Sequence, residues 1–252
     1  MMPKALVAKL IRVLELSPAD LSNLEVLTGT SKQATPGEIL VREGQTLEAA
    51  LLIESGWAFR YRMLTDGRRQ ITNFIVAGDL CDPNAFTTRR ADFSLRSMTD
   101  TTYSSIRPDQ LLDLVNRSPR IGVAFWWVTA HEESMLRAHL MAVGRLAANE
   151  RIAYLMWELW TRLEAVGLTR GDCFEFPATQ ELIADAVGLS VVHTNRTLRR
   201  LEREGLIRRT GSSIEIRDAV RLREMAHASG KLHLARVPRA TEQWLAQEVR
   251  AP

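Results

Sequence analysis

The chain has 252 residues, 46% of them hydrophobic, and a formal net charge of only +3; this suits two globular domains, each long enough to bury a core, and excludes a global basic field as a means of attracting nucleic acid. Two cysteines, Cys81 and Cys173, have neither metal-ligand spacing nor the number for a disulfide framework, which fits a reducing cytoplasm. No apolar run is long enough to cross a membrane, and the amphipathic start MMPKALVAKLIRVLEL lacks the continuous apolar stretch and cleavage site of a signal peptide, so a cytoplasmic protein with no membrane partner is expected.

Residues 4–28 read as one or two short helices, the second opened by Ser17 as N-cap and Pro18 in the first turn. From residue 32 to about 107 the pattern changes to strands of four to eight residues between turns. Gly37 precedes the strand-like stretch Glu38-Ile-Leu-Val41, Glu43-Gly44 turns, and 50–53 runs into Ser55-Gly56. Residues 57–63 alternate with period two, and Asp66-Gly67 is a hairpin signal before 70–75. Gly78-Asp79 turns again. Many short strands at this spacing predict a jelly-roll or β-roll.

Residues 108–118 form a helix, and a longer one is expected over 121–143. An apolar stripe runs through Ile121, Phe125, Val128, Met135 and Ala142, interrupted by Glu132 and His139. Those two either lie buried at a two-fold seam or, if the seam rotates, point to solvent. Gly144-Arg145-Leu146 is the expected hinge. Another apolar-rich helix starts near Asn149, with Met156, Trp157 and Trp160 read as core and interdomain packing.

Residues 177–215 carry the densest signal. Thr179 is an N-cap, Ile183 and Val187 share one helix face, and Gly188 ends the helix, with small Ala184 four residues before it. Leu189 plugs the turn and Ser190 caps the next helix, 191–204. Projected at about 100° per residue, Thr194, Thr197, Leu198 and Leu201 face inward. Val191, Val192, Asn195, Arg196, Arg199 and Arg203 face outward, with His193 and Arg200 at the margin. A solvated basic helix is the alternative for such a face. The turn glycine, the small residue and the cap at helix-turn-helix spacing favour DNA: methyls for thymine, Asn for adenine, Arg for guanine or phosphate. A hairpin follows, with Gly211, Ser212 and Ser213 as its turn and Arg208 and Arg209 read as lying at its tip, beside phosphates. The candidate DNA-binding set is thus Thr179, Gln180, Ser190, Val191, Val192, His193, Asn195, Arg196, Arg199, Arg200, Arg208 and Arg209.

This helix-turn-helix and hairpin resemble the winged-helix domain of the CRP/FNR superfamily of bacterial transcription regulators, and the resemblance extends over about the first 220 residues. It implies an α+β protein: an N-terminal β-roll sensor of the cyclic-nucleotide-binding type (1–118), a dimerisation helix and hinge (119–145), and a C-terminal winged helix-turn-helix domain (146–218). A C-terminal extension (219–252), helical over 219–228 and with an isolated Trp244, has no assigned role. The resemblance further implies a homodimer, a palindromic DNA operator and RNA polymerase as a partner. A regulatory protein acting through protein partners, with the winged helix as an interaction module, is the rival reading.

The departures from the family pattern concern the effector. Cyclic-nucleotide binders of the family carry a Gly-Glu pair after the Gly-Asp turn and an Arg-Ser pair on the following segment; here residues 78–86 read GDLCDPNAF, with no Gly-Glu pair, and Arg96-Ser97 sits about five residues late. Cyclic AMP is therefore not expected, and the effector-pocket candidates are Asp82, Asn84, Arg96 and Ser97. Two distant cysteines cannot hold an iron-sulfur cluster, and a haem would have only His131, His139 or Cys81 as axial ligand. No cofactor, metal site or catalytic set is identified, so an enzyme is not expected. The recognition helix also departs: Val192 stands where the best-known members place an acid, while Arg196 matches their guanine-reading arginine.

Overall fold

The structure, a computed structural model, describes residues 3–28, 31–83, 90–228 and 236–248. It opens with α1 (Lys4–Leu10), α2 (Pro18–Asn23) and a 3-10 turn (Leu24–Thr28). Ser17 and Asp20 form a capping box over α2, each side chain accepting from the other's backbone amide. The strands β1 (Ser31–Ala34), β2 (Ile39–Val41), β3 (Ala50–Ser55), β4 (Trp57–Met63), β5 (Arg69–Val76), β6 (Leu80–Cys81), β7 (Ser94–Ser97) and β8 (Thr101–Ile106) follow. Then come α3 (Pro108–Arg117), α4 (Pro119–Arg145) and α5 (Ala148–Ala165). The rest of the chain is β9 (Thr169–Arg170), β10 (Cys173–Glu175), α6 (Gln180–Val187), α7 (Val191–Arg203), β11 (Ile207–Thr210), β12 (Ser213–Ile216), α8 (Ala219–Met225) and α9 (Arg239–Glu248).

The first eight strands make two antiparallel sheets, in the orders β1-β8-β3-β6 and β2-β7-β4-β5. Val41, Leu51, Ile53, Ala58, Ile75 and Leu95 fill the space between them. Side chains alternate across a strand, so Ala50 and Leu52 of β3 face outward, yet they too are buried. That outer face is covered by Leu6, Leu10 and Leu24 and by Leu111, Ile121 and Phe125. A strand covered on both faces needs a continuous apolar run, which is what Ala50-Leu-Leu-Ile53 supplies.

The outer face of the second sheet is aromatic. Trp57, Phe59, Tyr61 and Phe74 pack in one continuous core with Met156 and Trp157 of α5 and with Phe176. The Phe176 ring lies 5.0 Å from Phe74, edge to face, and 5.6 Å from Trp57. The same core runs on to Leu198 of α7 and to Ile207 and Ile214 in the sheet β11-β12-β10-β9. Strands β9 and β10 were not expected from the sequence; at two and three residues they are too short to show a period.

Helix α4 corrects the expected seam. Ile121, Phe125, Val128, Met135 and Ala142 are buried against their own chain. Glu132 and His139 point neither to a seam nor to solvent: Glu132 pairs with Arg60 of β4 at 3.3 Å, and His139 Nε2 lies 3.0 Å from the Ala186 carbonyl of α6. The outward face is a different one, with Trp126 79% and Leu140 73% exposed. A helix with apolar residues on two sides gives a low amphipathic signal, and the longer inward stripe was the easier to trace. In the C-terminal segment, Trp244 lies in α9 and is exposed, whereas its neighbour Leu245 is buried in the cluster of Leu6 and Leu10.

A buried ionic network joins these parts. Asp79, at the turn after β5, accepts from Lys9 Nζ of α1 at 3.0 Å and from an Arg162 guanidinium nitrogen of α5 at 2.6 Å. Arg162 also donates to Glu158 at 2.8 Å, Asn73 at 3.1 Å and the Phe74 carbonyl at 2.9 Å. Gly78, at φ +90°, lets α1 approach, since a Cβ there would lie 2.7 Å from the Ala5 backbone. Burial alone would raise the Asp79 carboxyl, but the charges of Lys9 and Arg162 outweigh it and hold the group well below the usual carboxylate range.

Removing one member leaves the others buried and uncompensated, so Arg162→Leu is expected to cost about 3–5 kcal/mol of stability in denaturant titration. Because the folded pKa of Asp79 is depressed, its contribution is fully present above about pH 4 and is lost as pH falls through the folded value. Asp79→Asn should be less stable at neutral pH and lose less on further acidification, as thermal melts across that window will show.

Candidate nucleic-acid interface

Local chemistry sets the geometry of the helix pair. The Thr179 hydroxyl oxygen accepts from the Leu182 amide at 3.3 Å, and that of Ser190 accepts from the His193 amide at 3.2 Å. Between the helices Gly188 takes a left-handed conformation, φ 67° and ψ 42°. Thr194, Thr197, Leu198 and Leu201 are buried, as their arc requires. Val191, Val192, Arg196, Arg199 and Arg203 are exposed, with Val192 at 71%. Together with Gln180, Asn195 and Glu202 they line an open concave surface of about 840 Å³.

Several of the expected contacts are engaged within the chain. Asn195 Nδ2 donates to Gln180 Oε1 at 2.7 Å. Arg200 pairs with Glu204 at 2.7 Å on the exposed side of α7. Arg208 and Arg209 are not at the hairpin tip: they stand in β11 opposite Glu215 and Ile214, and the turn itself is Gly211-Ser212. Strand alternation sends them to opposite faces. Arg208 is exposed, whereas Arg209 folds back to Glu202 of α7 at 2.8 Å. The hydrogen bond from Arg209 holds the Glu202 carboxyl below its ordinary value against the opposing effect of burial.

Sequence reasoning missed the residues that fix α6. Arg69 of β5 pairs with Asp185 at 2.6 Å and with Glu181 at 3.4 Å. Gln70 Nε2 donates to the Ala186 carbonyl at 3.0 Å, and Arg151 donates to the Val187 carbonyl at 3.2 Å. With His139 these hold the C-terminal carbonyls of α6 against the roll, α4 and α5, so the surface formed with α7 is set by long-range contacts.

Among the described residues, the effector-pocket candidates Asp82, Arg96 and Ser97 do not face one site. Arg96 pairs across the sheet with Phe59, on the aromatic outer face, and its guanidinium lies 5.9 Å from the Tyr61 ring. Ser97 points the other way, and its hydroxyl lies within hydrogen-bonding distance of the Thr35 and Glu38 carbonyls. Adjacent strand residues cannot grip one phosphate from opposite faces. Asp82, at φ 55°, pairs with Arg60 at 3.4 Å. Asn84 lies outside the described residues.

Inside the roll the buried Arg60, 4.5 Å over the Phe93 ring, meets Asp82 and Glu132. Burial acts against its charge, but the two carboxylates hold the guanidinium firmly protonated. Burial raises the Asp82 carboxyl, only partly offset by Arg60, and pushes the Cys81 thiol well up. Of the alternative axial haem ligands, His131 stacks on Trp127, His139 faces α6, and Cys81 lies inside the roll. Among the described residues no group of three or more His, Cys, Asp or Glu could hold a metal ion, and no helix is long and apolar enough to cross a membrane.

Comparison with known proteins agrees with this architecture. Residues 150–225 match the family model of the Crp-like helix-turn-helix domain, and residues 31–118 match that of the cyclic nucleotide-binding domain. The chain is 29% identical over 217 residues to the transcriptional activatory protein AadR of Rhodopseudomonas palustris, covering 85% of this chain and 88% of that one. It is 27% identical over 213 residues to the nitrogen fixation regulation protein FixK of Bradyrhizobium diazoefficiens, covering 84% and 88%. The solved structure of FixK2 from Bradyrhizobium japonicum superposes with a TM-score of 0.71 at 24% identity, over 80% of this chain and 98% of that one. With a roll, a long helix and a winged helix-turn-helix in one chain, and with both domain models matched in order, the protein belongs to the CRP/FNR family of transcription regulators.

Proposed function

We propose that this regulator acts in the cytoplasm as a homodimer on a palindromic operator, with α7 in the major groove, α4 as the seam, and RNA polymerase as the partner the family resemblance implies. The observation that carries the reading is the outward face of α7: two exposed valines, a half-buried amide and three exposed arginines line a concave surface, while every inward residue is buried. Val192 covers a thymine methyl where an acid would accept from cytosine, Asn195 takes an adenine, and Arg196 reads guanine. Arg208 contacts phosphate, and Arg209 braces the wing against α7.

The dimer seam is the outward face of α4, with Trp126, Leu140 and Met141 exposed along it. Light scattering should show a dimer for the parent protein and a monomer for Leu140→Glu, with loss of operator binding in the variant.

Selection from random DNA should recover a half-site that keeps one guanine and has A·T character beside it. Arg196→Ala is expected to cost about 1–3 kcal/mol and relax preference at one base pair. Arg208→Ala should weaken all sequences alike and lower the salt slope by about one. Arg209→Ala should lower wing stability instead, because it leaves Glu202 without its partner. Calorimetry should find no cyclic AMP site tighter than about millimolar, since Arg96 and Ser97 are on opposite faces and Arg60 is already neutralised.

A further inference from the structure

The amide pair between the two helices of the DNA-binding motif has a role that burial and packing do not require. Both side chains are only half-buried, and both line the concave surface beside Val191 and Arg196. Gln180 is the first residue of α6, and Asn195 lies one turn into α7, yet the Asn195 Nδ2 to Gln180 Oε1 distance is 2.7 Å. We infer that Gln180 is a positioning residue for base readout, fixing which edge of the Asn195 amide meets the DNA; this rests on the reading of Asn195 as an adenine contact.

A primary amide carries one oxygen acceptor and two N–H donors. Bidentate recognition of adenine uses the oxygen, which accepts from N6, and the N–H on the same edge, which donates to N7. The second N–H points away from that edge and is left over. In this structure the Asn195 nitrogen has a fixed acceptor in Gln180 Oε1, so that leftover donor is satisfied and the oxygen is held clear of Gln180. Without such an acceptor the amide can turn over about its last bond, presenting donor and acceptor in the order adenine mismatches. Gln180 also keeps its own NH₂ group, which is free to donate to a backbone phosphate and so to tie the orientation of the base-reading amide to docking on the duplex. Arg196, on the same face, reads guanine through its own fixed fork and does not depend on the pair.

The test uses the full-length protein and binding measured across a panel of half-sites in which each base pair is varied in turn. Asn195→Ala first identifies the base pair at which adenine preference is lost. At that pair Gln180→Leu, which removes the acceptor, is expected to lower the preference by on the order of tenfold, with the guanine preference at the Arg196 pair unchanged. Gln180→Glu keeps an acceptor and no donor, so it should retain the adenine preference while binding every sequence more weakly. The double variant Asn195→Ala with Gln180→Leu should lose no more preference than Asn195→Ala alone.

If Asn195→Ala erases the preference and Gln180→Leu leaves it intact, the positioning role is wrong and the reading of Asn195 stands. If Gln180→Leu weakens all half-sites alike with no change of preference, the pair is a packing contact and the inference fails. If Asn195→Ala changes no preference, the adenine reading itself falls, and the positioning role with it. Should Gln180→Leu fail to fold, the Gln180→Glu measurement still decides, since loss of adenine preference in that variant contradicts the acceptor role.

Discussion

A buried carboxylate must be paired, and the pairing of Asp79 decides how this chain is assembled. The residue belongs to the roll, but its partners come from the N-terminal helix and from the first helix of the DNA-binding unit. Hydrophobic burial alone would let those three parts slide, because apolar contact is not directional. An ion pair that is almost fully desolvated tolerates no such slack: Arg162 must reach Asp79, Glu158 and the Phe74 carbonyl together, which permits one placement of α5 over the second sheet. The aromatic packing around Phe176 then acts within a geometry that the charges have selected.

The second charged cluster works on the other side of the same sheet. Arg60 inside the roll is neutralised by Asp82 of the roll and by Glu132 of α4, so the long helix is tied to the interior that it covers. Further along, α4 offers His139 to the helix-turn-helix. One helix therefore touches both the roll interior and the base of the DNA-facing surface, through side chains two turns apart. A change in the roll that moved Arg60 would act on α4 at Glu132, and α4 already contacts α6.

What could be read from the sequence was whatever is decided within a few residues. The caps Ser17, Thr179 and Ser190, the left-handed Gly188 and the arcs of α7 follow from local hydrogen bonding and helical period, and the structure has them all. The errors came where a period had to be assigned to a partner. The stripe from Ile121 to Ala142 is apolar because other parts of its own chain cover it, and periodicity carries no label for what covers a face. Arg209 was misplaced because one residue of register in a strand reverses its direction. Arg69 with Asp185 and Arg60 with Glu132 join positions 116 and 72 residues apart, and nothing local at either end announces the other.

The aromatic outer face of the second sheet bears on how modular such a regulator is. Trp57, Phe59, Tyr61 and Phe74 are interior residues only while α5 and Phe176 lie over them. Severed from the winged helix, the roll would present four aromatic rings on a β-sheet surface, an adhesive patch prone to self-association. Grafting this reading head onto another sensor would likewise leave Trp157 and Phe176 without a floor. To keep that core whole, a graft of this reading head would have to carry the β4–β5 hairpin with it or meet an equivalent aromatic face on the new sensor.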